Sequence, residues 1–268
     1  MSYSASIVIP LLRQRDAWLE QCVRSALAQT APCETIVVTS RETPHSNRKL
    51  LSSLAAQHNN LRVLFRDLPK GFPQTLNFGM RAATAGRIGI LLSDDWMEPE
   101  CVAACLAHAE DIVSTSHHTY HADGVTPVEG AARRLRMKDF SQLPSLQAKA
   151  AYVTHFFLFR REALERAGYV DESIGDYPGI DDYHLIWTML EQGASVAIVE
   201  EHVFNDRDHD GERLTLADPE QAVRNLEKIL LKHGVAEPEF SRLVAGHRRW
   251  YGKPLYEVLR ERNQVAHD

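Results

Sequence analysis

Two pairs of adjacent carboxylates are the residues of this chain best placed to do chemistry. In GILLSDDWMEPE (89–100), small and apolar residues run straight into Asp94 and Asp95. Like charges at the end of a buried strand must be hydrated, paired or bound to a cation, so the stretch reads either as a divalent-metal site or as a solvated turn. The second pair, Asp181 and Asp182, opens PGIDDYHLIWTMLEQG, which has the pattern of an amphipathic helix. The helix dipole favours acidic residues there whatever the function. A third element is FNDRDHDGERLT (204–215), which sets His209 among three aspartates in what reads as a polar loop. A lone loop histidine fits a surface residue as well as a ligand. Together these give carboxylates at a strand end, carboxylates at a helix start and an imidazole in a late loop.

The elements that must position them alternate through the first hundred residues. SIVIP (6–10), ETIVVTS (34–40), LRVLFRD (61–67) and RIGILLS (87–93) read as strands. DAWLEQCVRSALAQT (16–30), a segment near 47–57 and FPQTLNFGMRAAT (72–84) read as helices, with Asp16 suited to cap the first. Strands separated by helices of that length imply right-handed crossovers and a mainly parallel α/β sheet covered on both faces. In such sheets ligands bind beyond the carboxyl ends of the strands, where Asp94 and Asp95 fall. Beyond residue 100 the pattern is less regular. It gives a helix over 101–110, a strand ending in a turn over 111–124, a strand giving way to a helix over 151–168, a helix over 181–193 stopped by Gly193, and a last strand, SVAIVEE (195–201). From Asp218 the chain is charged and helical, so the expected organisation is one α/β domain over 1–217 and a helical extension over 218–268. That extension is expected to pack on the main domain or to mediate contacts between copies of the chain.

Composition narrows the classes. The chain has 268 residues, 25% of them charged and 44% hydrophobic, with a formal net charge of −6. That is the profile of a globular protein, and its mild acidity argues against non-specific nucleic-acid binding, which needs a basic surface. No window has the apolar length of a membrane span, and the start lacks a basic segment followed by an apolar core, so a cytoplasmic location is expected. Cys22, Cys33, Cys101 and Cys105 have no C-x-x-C spacing and read as core thiols. Strand alternation in STSHHTYHADG puts His117, Thr119 and His121 on one face and His118 on the other, an awkward arrangement for a metal site. His155, in YVTHFFLF, reads as packing or as the lining of a cleft, and Trp187 falls within a helical apolar pattern. Trp96, beside the carboxylates, is better placed to stack on a sugar.

The order of these motifs resembles the family-2 glycosyltransferases, which adopt the GT-A fold and transfer sugars from nucleotide-activated donors. SIVIPLL, WLEQCVRSALAQT and ETIVV are similar to the opening of that family. KGFPQTLNFGMRAATAGRIGILLSDDWMEP is similar to its next block, with Gly71, Asn77, Gly79, Ala83 and Gly86 in the expected places. LFRREALERAGYVDESI and IDDYHLIWTMLEQGASVAIV resemble the third. The resemblance spans about residues 5–215. It implies that Asp94, with Asp95 beside it, binds Mn²⁺ or Mg²⁺ against the donor's phosphates, and that His209 closes the metal site, tilting preference toward Mn²⁺. It implies that Asp182 is the catalytic base of an inverting transfer to an acceptor hydroxyl and that Asp181 hydrogen-bonds the acceptor. Pro10, Leu11, Thr39, Arg41, Gly71, Asn77 and Ser93 join Asp94 in the implied donor-binding set, with a UDP-sugar as the default donor.

Two positions depart from the family pattern. Thr39 stands where relatives commonly carry an aspartate that meets the base, and Leu92 stands where the first carboxylate of Asp-x-Asp is usual. They motivate a rival reading as a non-catalytic relative that binds nucleotide or glycan without turnover. A nucleotidyltransferase that makes nucleotide sugars is a second rival. It usually carries a glycine-rich basic loop after the first strand, and PLLRQRD has no glycine.

Overall fold

The structure, a computed structural model, describes residues 3–67, 71–174, 181–209 and 218–250. Its centre is an eight-stranded sheet in the order β3-β2-β1-β4-β7-β6-β8-β5. Strands β1 (Ala5–Pro10), β2 (Cys33–Ser40), β3 (Leu61–Arg66) and β4 (Arg87–Ile90) run parallel. β7 (Phe157–Arg160) is antiparallel to both β4 and β6 (Ile112–Tyr120), which restores β6 and β8 (Val196–Arg207) to the direction of β1. The two-residue β5 (Trp96–Met97) closes the edge antiparallel to β8. The mainly parallel, mixed sheet expected from the alternating pattern is thus what forms.

Alternation along the strands sorts the core into two layers. Val8, Ile36, Val38, Ile88 and Ile90 enter one apolar cluster, while Ile7, Ile9 and Val37 enter the other. Helices α1 (Asp16–Leu27), α2 (His45–Ala55) and α4 (Cys101–Leu106) contribute to the second layer, which also takes up all four cysteines. The first layer is covered by α3 (Phe72–Ala82), α5 (Met137–Ser141), α6 (Leu146–Tyr152), α7 (Arg161–Ala167) and α8 (Asp181–Glu191). Leu226, Ile229 and Leu230 of α9 (Pro219–Lys232) are buried in that same cluster, and Phe240 and Leu243 of α10 (Glu239–Trp250) pack against it. A Cβ at Gly79 of α3 would sit 2.5 Å from Val8 Cγ1 and 2.9 Å from Val38 Cγ2, so only glycine lets α3 approach the sheet this closely.

Several boundaries differ from the sequence expectation, each for a local reason. Asp16 does not cap α1 but is its first residue, behind Arg15; its carboxylate accepts instead from Asn47 Nδ2 at 2.5 Å and ties α1 to α2. β4 stops at Ile90 because the chain turns over Leu92 and Asp95, closed by Asp95 N donating to Leu92 O at 3.2 Å. Ala151 and Tyr152 end a helix rather than begin a strand. β8 runs on to Arg207, so the first part of the expected polar loop is strand. Gly193 follows α8 at φ 80°, the left-handed stop its position suggested.

The far end of the sheet is held by a buried carboxylate. Glu34 is 1% exposed, accepts from Ser6 Oγ and Thr84 Oγ1 at 2.6 Å each, and pairs with Arg62 at 2.9 Å. Burial pushes its pKa up, but these hydrogen bonds outweigh burial and leave it below the ordinary value.

Candidate active site

The carboxyl ends of β1, β2, β4, β6 and β8 share one edge of the sheet, joined there by the amino end of the antiparallel β7 and by the start of β5. The turn after β4 delivers Asp94 and Asp95 to this edge in different surroundings. Asp95 is 3% exposed, and its Oδ1 accepts from the backbone N of Arg207 at 2.9 Å. Asp94 keeps a fifth of its side chain exposed, and its Oδ2 lies 3.0 Å from His209 Nε2. His209 is buried, its ring 4.6 Å from that of Trp18, and its Nδ1 has no hydrogen-bond partner among the described residues.

Arg207 organises this side of the edge, and the sequence reading missed it. Its guanidinium donates to Asp94 O at 2.9 Å, Ala122 O at 3.0 Å and Gln21 Oε1 at 2.5 Å. It lies between the rings of Trp18 and Trp96, at 4.9 and 4.8 Å from their centroids. Burial lowers its pKa, with Asp95 and Asp94 opposing, yet an arginine remains charged. Gly124, at φ 69°, passes beneath it: a Cβ there would lie 2.5 Å from Arg207 Nη1. Trp96 thus has the guanidinium over its ring and Tyr120 at 5.2 Å.

Asp182 arrives from the first turn of α8. Its Oδ1 accepts from Tyr183 N at 2.8 Å, and its Oδ2 lies 3.2 Å from Nε2 of His155, just ahead of β7. Both side chains are about a quarter exposed. Burial pulls the His155 pKa down, but the hydrogen bond and charge of Asp182, helped by Asp181 and Asp206, carry it above the ordinary value. Asp182 shifts the other way: burial raises it, and the bond to His155 more than reverses that. The end of β8 and the residues after it therefore hold the acidic turn, through Arg207 N on Asp95 and His209 on Asp94, while the charge of Asp206 helps raise the pKa of His155.

The other sequence candidates are distributed around this edge. Pro10 ends β1, and the buried Leu11 donates its N–H to Val38 O at 3.0 Å. Thr39 is buried and gives its hydroxyl proton to Leu64 O at 3.1 Å, which leaves lone pairs on the oxygen. Arg41 is exposed and paired with Asp67. Ser93 accepts from Gln14 Nε2 at 3.3 Å. Gly71 precedes α3, its carbonyl accepting from Thr75 Oγ1 at 2.6 Å. Asn77 is buried, and its amide clamps the chain after α7: it donates to Val170 O and Glu172 Oε1 at 2.8 Å and accepts from Val170 N at 3.0 Å.

A cavity of about 550 Å³ lies elsewhere, lined by Asn77, Arg81, Asp171, His184, Lys232 and His233 among others. Its titratable side chains are paired. His184 Nε2 meets Asp171 at 3.3 Å, His184 Nδ1 meets His233 Nε2 at 2.9 Å, and His233 Nδ1 meets Glu191 at 2.8 Å. Lys232 also pairs with Asp171, and Trp187 stacks on His233 with centroids 3.9 Å apart.

Among the described residues no group of three or more His, Cys, Asp or Glu is arranged to hold an ion with protein ligands alone. Asp94 and His209 do fit as a two-ligand set, one oxygen and one nitrogen, of the kind that a divalent cation completes with phosphate oxygens and water. Asp95 is turned to Arg207 instead.

This sheet, with its antiparallel β7 and its acidic turn after β4, defines a GT-A fold. The chain belongs to glycosyltransferase family 2: the family model described as glycosyl transferase family 2 matches residues 6–168, more than half of its length. The O-antigen biosynthesis protein RfbC of Myxococcus xanthus is 24% identical over 208 residues, which cover 76% of this chain and 16% of that protein. Among solved structures, S. aureus TarS 1-349 in complex with UDP-GlcNAc superposes with a TM-score of 0.65 at 16% identity, over 90% of this chain and 69% of that one. The mannosyltransferase PcManGT from Pyrobaculum calidifontis, in complex with GDP-Man and Mn²⁺, gives 0.63 at 18% identity, over 92% and 70%. These likenesses establish the shared fold. The family match includes Asp94 and Asp95 and ends before Asp181, Asp182 and His209.

Proposed function

We propose that the chain is a metal-dependent, inverting glycosyltransferase that moves a sugar from a UDP-sugar to an acceptor hydroxyl. The observation that carries this reading is that the Asp94–His209 pair and the Asp182–His155 pair, the latter just ahead of β7, both stand at the one edge where such sheets bind ligands. Asp94 and His209 would hold Mn²⁺ or Mg²⁺, with Mn²⁺ favoured by the imidazole. The ion would supply charge neutralisation for the departing nucleoside diphosphate. Asp95 serves this arrangement by fixing the acidic turn to β8.

The acceptor oxygen attacks the anomeric carbon opposite the leaving diphosphate. The new carbon–oxygen bond forms as the bond to phosphate breaks, and the acceptor's proton passes to Asp182. Asp181 orients the acceptor. The donor nucleotide is assigned to the ends of β1 and β2, where Thr39 can accept a hydrogen bond from a base N–H. Asn77 and Gly71 support the site through the placement of α3. Residues 218–250 are read as a helical extension, and the rest of the expected extension, 251–268, lies outside the described residues. No helix among the described residues is long and apolar enough to cross a membrane, and we assign the enzyme to the cytoplasm.

The test is a thermal-shift screen of UDP, GDP and other nucleoside diphosphates with and without Mn²⁺. A ligand specific to the folded state, at a hundred times its Kd, adds about 2.7 kcal/mol of apparent stability. A Mn²⁺-dependent shift with UDP, absent in Asp94→Asn, is expected. A shift with GDP alone would replace the donor, and a shift unaffected by Mn²⁺ or by Asp94→Asn would overturn the metal site.

A further inference from the structure

A general base must be ionised before the reaction and aimed while it happens. Resting on the assignment of Asp182 as that base, we infer that His155 is its positioning residue, holding one carboxylate oxygen so that the remaining lone pairs meet the acceptor hydroxyl. Asp182 Oδ1 is fixed by Tyr183 N at 2.8 Å and Oδ2 by His155 Nε2 at 3.2 Å, which together stop the carboxylate from rotating. A carboxylate accepts about four hydrogen bonds, so these two leave room for the acceptor. The family match ends at residue 168, and this pair joins a residue inside it to one outside it.

The ring is oriented by its surroundings. Nδ1 of His155 is sealed from solvent without a hydrogen-bond partner among the described residues, while the quarter-exposed ring directs Nε2 to Asp182. A bare buried acceptor is easier to tolerate than an orphaned N–H, so the neutral ring keeps its proton on Nε2. Protonation adds its proton at the sealed Nδ1, a cost that the surrounding carboxylates must offset, and leaves the Nε2 donor in place, so the bond to Asp182 persists in both charge states. The charged groups facing the ring are Asp181 and Asp182 from α8 and Asp206 from β8. His117 of β6, whose charge is coupled to this ring, is held neutral with its pKa lowered to about 4, first by burial and then by Arg133 and His155 itself. The three carboxylates favour the imidazolium, which in turn favours ionised Asp182.

The experiment compares Asp182→Asn, His155→Gln and His155→Asn across pH, with a UDP-sugar, Mn²⁺ and a turnover assay. Asp182→Asn should lower kcat about 10²–10⁴-fold, the usual contribution of a general base. Retained activity there would refute the base assignment itself. Glutamine can place an amide N–H where Nε2 stands, whereas asparagine reaches only the Nδ1 position. His155→Asn should cut kcat about tenfold or more, leave the donor KM unchanged, and move the acid limb of kcat/KM upward by about one to two pH units, the worth of a hydrogen bond to a charged group. His155→Gln should recover part of both losses. If Asp182→Asn is inactive while the two His155 variants behave alike with unmoved acid limbs, His155 merely packs and the inference falls. Should His155→Asn fail to fold, ¹⁵N NMR of the wild-type imidazole decides. Nε2 protonated throughout the active pH range is expected, and a bare Nε2 overturns the inference.

Discussion

At the start of α8, Asp182 meets His155 through one ring nitrogen while the other has no partner among the described residues; further along the helix, His184 has both nitrogens engaged, as does His233 behind it. The same contrast separates His209, which pairs with Asp94 through Nε2 alone, from the seam between α8 and α9. A buried polar atom without a partner costs about 1–3 kcal/mol. The seam spends its imidazoles on joining α9 to the sheet domain. At the strand-end edge each imidazole commits Nε2 to a carboxylate that is proposed to act on the ligand or its metal.

The largest effect should come from breaking the edge. Asp94→Asn is expected to reduce turnover at least about a hundredfold, the rate equivalent of about 3 kcal/mol in metal-assisted leaving-group stabilisation, with the melting temperature little changed. Glu191→Gln, a change of the same type in the seam, should leave turnover per folded molecule intact. Equal loss of turnover in both variants would erase the distinction.

A smaller effect, on stability instead of rate, is expected from the seam. His184→Leu leaves His233 Nε2 without its 2.9 Å partner and removes one contact from Asp171. The cost should be about 1–3 kcal/mol, read as a lower urea midpoint, with turnover at 25 °C preserved. Loss of turnover with an unchanged midpoint would move His184 from the structural side of the comparison to the catalytic one.

The sequence made the edge legible in its carboxylates and obscure in what holds them. Alternating apolar runs predict the parallel sheet, and a sheet with helical crossovers predicts where Asp94 falls. Arg207 was hidden because FNDRDHDGERLT carries the polarity of a loop, while its first four residues are strand. Its role depends on Trp18 and Gln21 of α1 and on Trp96 of β5, brought to it by the fold from two separate segments. The His155–Asp182 contact was obscure for a related reason: β7 is antiparallel, so its amino end shares an edge with the carboxyl ends of its neighbours, and no local pattern announces a strand's direction. Asn77 was obscure in the same way: its amide is committed to Val170 and Glu172, distant in sequence and brought to it by the fold.

The smallest effect is the most specific, because the two regions should titrate in opposite senses. Burial lowers the pKa of His184 against the pull of Asp171, while the carboxylates around His155 raise its pKa in spite of burial. Both start from an unfolded value of 6.5. The contribution of His184 to stability is complete above that value and is lost as pH falls through its lowered folded pKa. That of His155 is complete below 6.5 and is lost as pH rises through its raised folded pKa. Imidazole Cε1–H resonances followed by NMR from pH 5 to 8 should therefore place His155 above 6.5 and His184 below it. Removing Asp182 as asparagine should bring the His155 midpoint down without moving that of His184, since only the first ring loses its counter-charge. A joint shift of both midpoints would mean that the two ends of α8 respond as one electrostatic unit, and the division between an edge kept for chemistry and a seam kept for docking would no longer hold.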